Sequence, residues 1–91
     1  MLVLANLTDK TTFESLEITA PTDGQLQIFV NGVVGLSGRV SVLRRDANGV
    51  FFDYPELTFF NRTAVEMSVA TNDRFKVQFT GCISAGIEIR L

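Results

Sequence analysis

The turn Asp46-Ala47-Asn48-Gly49 is the segment that most resembles a cation site, because it offers a carboxylate and a nearby amide oxygen. Calcium loops combine such oxygens with a bidentate glutamate at the twelfth position of the loop. Counted from Asp46, that position is Leu57. The segment therefore fails the calcium template. We interpret Asp46 as a turn residue and predict no metal site.

Three arginines and two nucleophilic side chains are the other candidates for chemistry. Arg39, Arg44 and Arg45 could bind phosphate or carboxylate through paired hydrogen bonds. Their predicted places on one strand favour solvated strand ends or salt bridges between subunits. Cys82 and Ser84 would each need a base, and the sequence contains no histidine. These residue types predict a protein that is not an enzyme and has no cofactor.

Charge and composition limit the partners. Eight Lys and Arg against ten Asp and Glu give a net charge of −2 and a pI of about 4.9. This balance does not favour contacts with phosphates, so we expect no nucleic acid partner. The first ten residues have no basic region before a short apolar run, which predicts neither a signal peptide nor a membrane partner. We expect synthesis in a host cytoplasm.

Short alternating segments separated by turn residues predict the fold. Apolar side chains recur at every second position, the period of a strand with one buried face. No helical period is sustained. The chain therefore reads as all-β, a single domain over residues 1–91 that forms an antiparallel β-sandwich of about 7–8 short strands, either immunoglobulin-like or jelly-roll. The predicted strands are residues 2–7, 12–19, 25–31, 39–45, 50–54, 57–60, 64–70, 74–80 and 87–91.

The stretch 25–54 contains the strongest local signals. Three glycines, Gly32, Gly35 and Gly38, predict a bend where the backbone takes positive φ or approaches a neighbour closely. The Asn48-Gly49 pair predicts a tight hairpin. The clearest buried sides belong to residues 25–31 and 74–80. Their predicted core residues are Leu26, Ile28, Val30, Phe75, Val77 and Phe79.

Two segments are apolar on both sides of an extended chain and are our candidate protein interfaces. The composition is 46% hydrophobic with a mean hydropathy of +0.25, which is high for so short a chain. Such an excess predicts that another chain covers part of the surface. We therefore expect a homo-oligomer, contacts with other proteins, or both. The candidate residues are Leu2, Val3, Leu4, Phe51, Phe52, Tyr54, Phe59 and Phe60.

Several segments resemble small structural proteins of phage virions. Ser37-Gly38-Arg39-Val40-Ser41-Val42 is similar to their Ser-Gly-Thr-Val-Thr strand, and residues 44–49 to their Asp-Gly-type hairpin. Val50-Phe51-Phe52-Asp53 resembles the aromatic strand that follows. The endings Arg74-Phe75-Lys76-Val77 and residues 84–91 resemble the closing strands of the family. The resemblance covers most of the chain after residue 24.

The resemblance implies a virion protein. The expected function is that of a non-enzymatic capsid decoration or cement protein that binds the major capsid protein or other virion proteins and stabilises the assembled shell. A head–tail connector or tail component is the alternative within the virion. A carbohydrate-binding β-sandwich module is the alternative outside it, since such modules often present aromatic rings to sugars.

Overall fold

The computed structural model describes residues 2–91, which form ten antiparallel strands and one short 3₁₀ helix. The fold class predicted from the alternation, an all-β sandwich, is confirmed. The strands are β1 (Val3–Lys10), β2 (Phe13–Glu14), β3 (Ile18–Thr19), β4 (Gly24–Val33), β5 (Arg39–Arg45), β6 (Phe51–Phe52), β7 (Thr58–Phe59), β8 (Thr63–Val69), β9 (Arg74–Thr80) and β10 (Ser84–Arg90), and the 3₁₀ helix is Pro55–Leu57.

The strands pair as one long hairpin that has been doubled over. With β2 and β3 taken as one interrupted strand, and β6 and β7 as another, the first sheet has the order β1-β10-β4-β8 and the second β2/β3-β9-β5-β6/β7. Thus β1 pairs with β10, β2/β3 with β9, β4 with β8 and β5 with β6/β7. Eight strands in two sheets with this order form a jelly roll and not an immunoglobulin-like sandwich.

The core lies between the two sheets and follows the predicted alternation. Side chains at every second position of β4, β5, β9 and β10 point inward, because successive residues of a strand face opposite sides. Burying a large apolar side chain contributes about 1.5–3 kcal/mol, so these central strands hold the sandwich together. All six predicted core residues are buried. The large apolar side chains with almost no exposed surface are Leu26, Ile28, Val40, Val42, Phe75, Val77, Phe79, Ile87 and Ile89.

The predicted strand 12–19 is interrupted, and the physical reason is Ser15. The Ser15 hydroxyl accepts a hydrogen bond from Val77 N at 2.9 Å, while Ser15 N donates to Val77 O. The Ser15 hydroxyl thus accepts the hydrogen bond that a backbone carbonyl accepts in a regular ladder. The strand splits into β2 and β3, and Leu16 is 89% exposed although it alternates with Glu17 on the side of Ile18.

Other strand boundaries also differ from the predictions. The aromatic strand is only Phe51–Phe52, because Pro55 begins the 3₁₀ helix Pro55–Leu57. The last strand begins at Ser84 rather than at residue 87. The first strand continues to Lys10 through a register shift, with Asp9 at φ 56°.

Two aspartates fix turns at the end of the sandwich that holds the β5–β6 hairpin. Asp46 Oδ1 accepts hydrogen bonds from Asn48 N and Val50 N, both at 2.9 Å, so its carboxylate closes its own hairpin. Asp23 Oδ1 accepts from Thr71 N at 2.7 Å and from Thr71 Oγ1 at 2.9 Å, which ties the β3–β4 turn to the β8–β9 turn. These bonds favour the charged carboxylate and hold the pKa of Asp23 below its ordinary value of 3.8.

We expect Asp23 to make the domain more sensitive to acid. Because the folded pKa is depressed, this stabilisation is present above the ordinary pKa and is lost as the pH falls through the lower folded value. Asp23→Asn should lower the melting temperature at pH 7, and the difference from wild type should shrink as the pH drops below 3.8. Thr71→Val, which removes only the hydroxyl donor, should have an intermediate effect. If the melting temperatures of the three proteins differ by the same amount at every pH from 2 to 7, this prediction is contradicted.

Candidate protein-interaction surfaces

The first candidate segment lies at an open edge of the first sheet. β1 pairs with β10 on one side, and no residue of the described chain 2–91 pairs with its other side. An unpaired strand edge can accept a strand from another chain. Leu2 and Val3 are about half exposed at this edge, whereas Leu4 packs against the core. Of the three predicted residues, Leu2 and Val3 are therefore the more available for contact.

An apolar groove of about 310 Å³ runs beside this edge, where β1 and the interrupted β2–β3 strand leave the side of the sandwich open. Its walls include Leu4 and Leu7 from the first sheet and Phe13 and Leu16 from the second. Leu16 projects from it almost fully exposed. Alternation over residues 12–19 places Leu16 on the same side as Ile18, and the interruption at Ser15 has no sequence pattern of its own.

The aromatic segment forms the opposite side of the sandwich. Phe52, Tyr54 and Phe60 are exposed there. Phe51 is half buried, with Lys76 Nζ 4.3 Å from the centre of its ring. Phe59 is only 6% exposed and belongs to the core, so its place among the candidate interface residues is corrected. The 3₁₀ helix between β6 and β7 interrupts the alternation along this segment. The side that each ring faces could therefore not be predicted from its spacing in the sequence.

A shallow groove of about 360 Å³ crosses this aromatic side. Tyr54 and Phe60 line it together with Arg39, Asp53 and Thr58. The groove thus combines two rings with a guanidinium, a carboxylate and a hydroxyl. This composition suits a polar ligand with apolar faces as well as a protein side chain.

A third apolar surface lies at one end of the sandwich and was not predicted. Leu36 at the tip of the β4–β5 loop is 109% exposed, and Ile83 in the β9–β10 loop is 65% exposed. Val33 is also exposed beside them, opposite Ser84 in the sheet. The available signal was an apolar residue inside a glycine-rich turn, as in Gly35-Leu36-Ser37-Gly38. The glycines of that turn predict a bend but not an exposed apolar tip.

Most of the groups that suggested chemistry have structural partners. Arg44 pairs with Asp73 at 3.6 Å, and Arg45 pairs with Glu17 at 3.6 Å. Cys82 is buried, with its Sγ 3.4 Å from Arg39 O. Within residues 2–91, no three His, Cys, Asp or Glu side chains come together as metal ligands.

Comparisons with models of protein families, with curated proteins and with solved structures found no match. Among residues 2–91, no helix is long and apolar enough to cross a membrane. Any function of this chain must therefore be argued from its fold, its two open sides and its apolar end.

Proposed function

We propose that this protein is a non-enzymatic structural component of a phage virion, a decoration protein that binds the assembled capsid and stabilises it. The observation that carries the proposal is the amount of large apolar side chain left exposed on a small domain, spread over both open sides and one end. This pattern suits a protein that works inside a larger assembly. The virion context comes from the resemblance of the strand and turn segments.

The two open sides fit contacts with neighbours in such an assembly. The β1 side offers an unpaired strand edge beside the groove that contains Leu16. The opposite side offers Phe52 and Phe60, and aromatic rings supply large contact area with little loss of side-chain entropy. Each side can pack against a second copy of this chain or against the major capsid protein. Jelly rolls are common in viral capsid proteins, and this analogy at the level of the fold supports the proposal.

The proposal is tested with purified shells that lack this protein. Wild-type protein should bind the shells at a fixed number of copies and raise their resistance to heat, since a ligand of the assembled state stabilises it by mass action. A head–tail connector or tail component would bind at the vertex or tail and leave the heat resistance of the shell unchanged. Absence of binding to shells, vertices and tails would refute a virion role.

Three single substitutions test the two sides. We expect Val3→Ser on β1 and Phe52→Ser on β6 to remain folded, because both side chains are exposed, and at least one to lose shell binding or self-association by tenfold or more. Gln27→Ser, on the outer face of β4, is the exposed control and should behave as wild type. Melting curves, light scattering and shell recovery measure the three properties. Normal assembly of both variants would place the contacts elsewhere.

One observation favours a second candidate function, a carbohydrate-binding module. The groove beside Tyr54 and Phe60 has polar groups from Arg39, Asp53 and Thr58. Aromatic rings stack on the apolar faces of sugars while such groups bind the hydroxyls. A glycan array separates the two functions. Binding that is lost on Tyr54→Ala, with no binding to shells, would favour the module.

A further inference from the structure

The end of the sandwich that carries the β4–β5 and β9–β10 loops brings four exposed apolar side chains together. Leu36 and Ile83 lie at the tips of these loops, and Val33 lies beside Ile83 at the end of β4. Phe60, 60% exposed, belongs to the same end, because Phe59 pairs with Val40 and the next residue therefore lies beside Arg39. This apolar end is separate from the two open sides described above, except for Phe60.

The loop that carries Leu36 is held by close backbone contacts. Ile83 N donates to Val34 O at 3.3 Å, and Gly38 N donates to Gly35 O at 3.4 Å. A methyl group on Gly38 would lie 3.0 Å from Cys82 Cα and would overlap Val34 O, so only glycine lets the two loops approach this closely. The fully exposed Leu36 is thus presented on a fixed turn, which reduces the entropy lost on binding.

The charges at this end differ from those on the rest of the surface. In the described residues, five of the eight Lys and Arg side chains form ion pairs with carboxylates. The other three are Lys10, Arg39 and Arg62, and the strand register places all three at the apolar end. Two carboxylates lie beside these cations: Asp9 accepts a hydrogen bond from Ser84 Oγ, and Asp53 lines the same groove as Arg39 and Phe60. The end therefore has a local excess of one positive charge on a chain whose net charge is −2.

We infer that this apolar, cationic end is the surface that docks on the shell, and that its binding site there is an acidic protein surface with an apolar pocket for Leu36. The inference rests on the proposed function and names the partner's chemistry. Charge complementarity between the end and an acidic surface guides the approach, and the fixed leucine fills the pocket. Two copies joined through this same end would place cations against cations, which disfavours a symmetric dimer here.

An anionic bilayer is the other surface that an apolar, cationic end could meet. The rest of the molecule carries five cations and eight carboxylates, so most of its surface is repelled by anionic lipid. The excess at the end is also only one charge, whereas lipid-binding clusters usually contain four or more. The observations therefore favour the protein surface.

The test measures binding to purified shells that lack this protein, at low and at high salt. Leu36→Ser should weaken binding at least tenfold at both salt concentrations. The double variant Arg39→Gln/Arg62→Gln should weaken binding at low salt and abolish most of its salt dependence. Val50→Ser is the matched control, since Val50 is an exposed apolar side chain in the β5–β6 hairpin at the opposite end of the sandwich, and it should retain the affinity and salt dependence of the wild type for the shell.

The outcomes separate the inference from the proposed function. Wild-type affinity in both end variants would overturn the inference and leave the decoration function standing. A wild type that does not bind shells would overturn both. If the protein sediments with vesicles of phosphatidylcholine and phosphatidylserine and Leu36→Ser abolishes this, the partner of the end is lipid and not a protein surface. If light scattering shows self-association and Leu36→Ser abolishes it, the partner of the end is a second copy of this chain.

Discussion

Val77→Asp should leave no cooperatively folded domain at 25 °C. Val77 lies in β9, between β5 on one side and β2 and β3 on the other, and has no exposed surface. A carboxylate at this position would be buried without a partner, at a penalty of several kcal/mol. A domain of this size has about 5–10 kcal/mol of stability in total. Circular dichroism melting should therefore show no transition, or one far below that of the wild type.

The neighbouring residue provides the control. Lys76 lies on the outer face of β9, with its Nζ 3.0 Å from Glu14 Oε1. Lys76→Gln removes this exposed ion pair and the contact with the Phe51 ring, at a cost of about 1 kcal/mol. We expect it to fold and to melt slightly below wild type. A soluble Val77→Asp domain with a wild-type transition would refute the assignment of Val77 to the core.

Gly86→Ala should lower stability by about 2 kcal/mol, near the middle of the range for overpacked positions. Gly86 is buried in β10 between β1 and β4. A methyl group there would lie 2.7 Å from Leu7 O and would overlap the Asn31 amide. The contact with Leu7 O is a contact with backbone, so β1 must shift to make room for the methyl group. For a domain of this size the melting temperature should fall by about 10 °C.

Gly24→Ala is the matched glycine control. Gly24 begins β4, and its added methyl would lie 3.0 Å from Leu91 Cδ1, the end of a flexible side chain that can rotate away. We expect a change of less than about 0.5 kcal/mol. Equal melting temperatures for the two variants would show that β1 approaches β10 less closely than described here. Hydrogen exchange at β1 would then locate the difference.

Local sequence patterns were sufficient for the fold class and for most of the core. The alternation of Phe75, Val77 and Phe79 predicted a buried side over residues 74–80, and β9 has those bounds. The Asn48-Gly49 signal predicted the hairpin that β5 and β6 form, with Gly49 at φ 86°. Both signals are local: alternation depends on the geometry of one strand, and a turn depends on the φ and ψ of a few residues.

The exposed surface depended on interactions that are distant in sequence. Alternation states which side of a strand is apolar, but not whether another strand covers that side. Phe59 and Phe60 are the same residue type, yet Phe59 pairs with Val40 and lies in the core, whereas Phe60 is exposed. Leu16 became exposed because Ser15 bonds to Val77, a residue 62 positions away.

The sequence by itself thus determined an all-β chain with its main buried residues, because those properties follow from the local geometry of strands and turns. Only the tertiary structure decided between the immunoglobulin-like and jelly-roll orders, since the partner of each strand is set by contacts across the whole chain. It also decided that Leu36, Ile83 and Phe60 share one end with Arg39 and Arg62. That grouping arises because the jelly roll brings alternate loops to the same end of the sandwich.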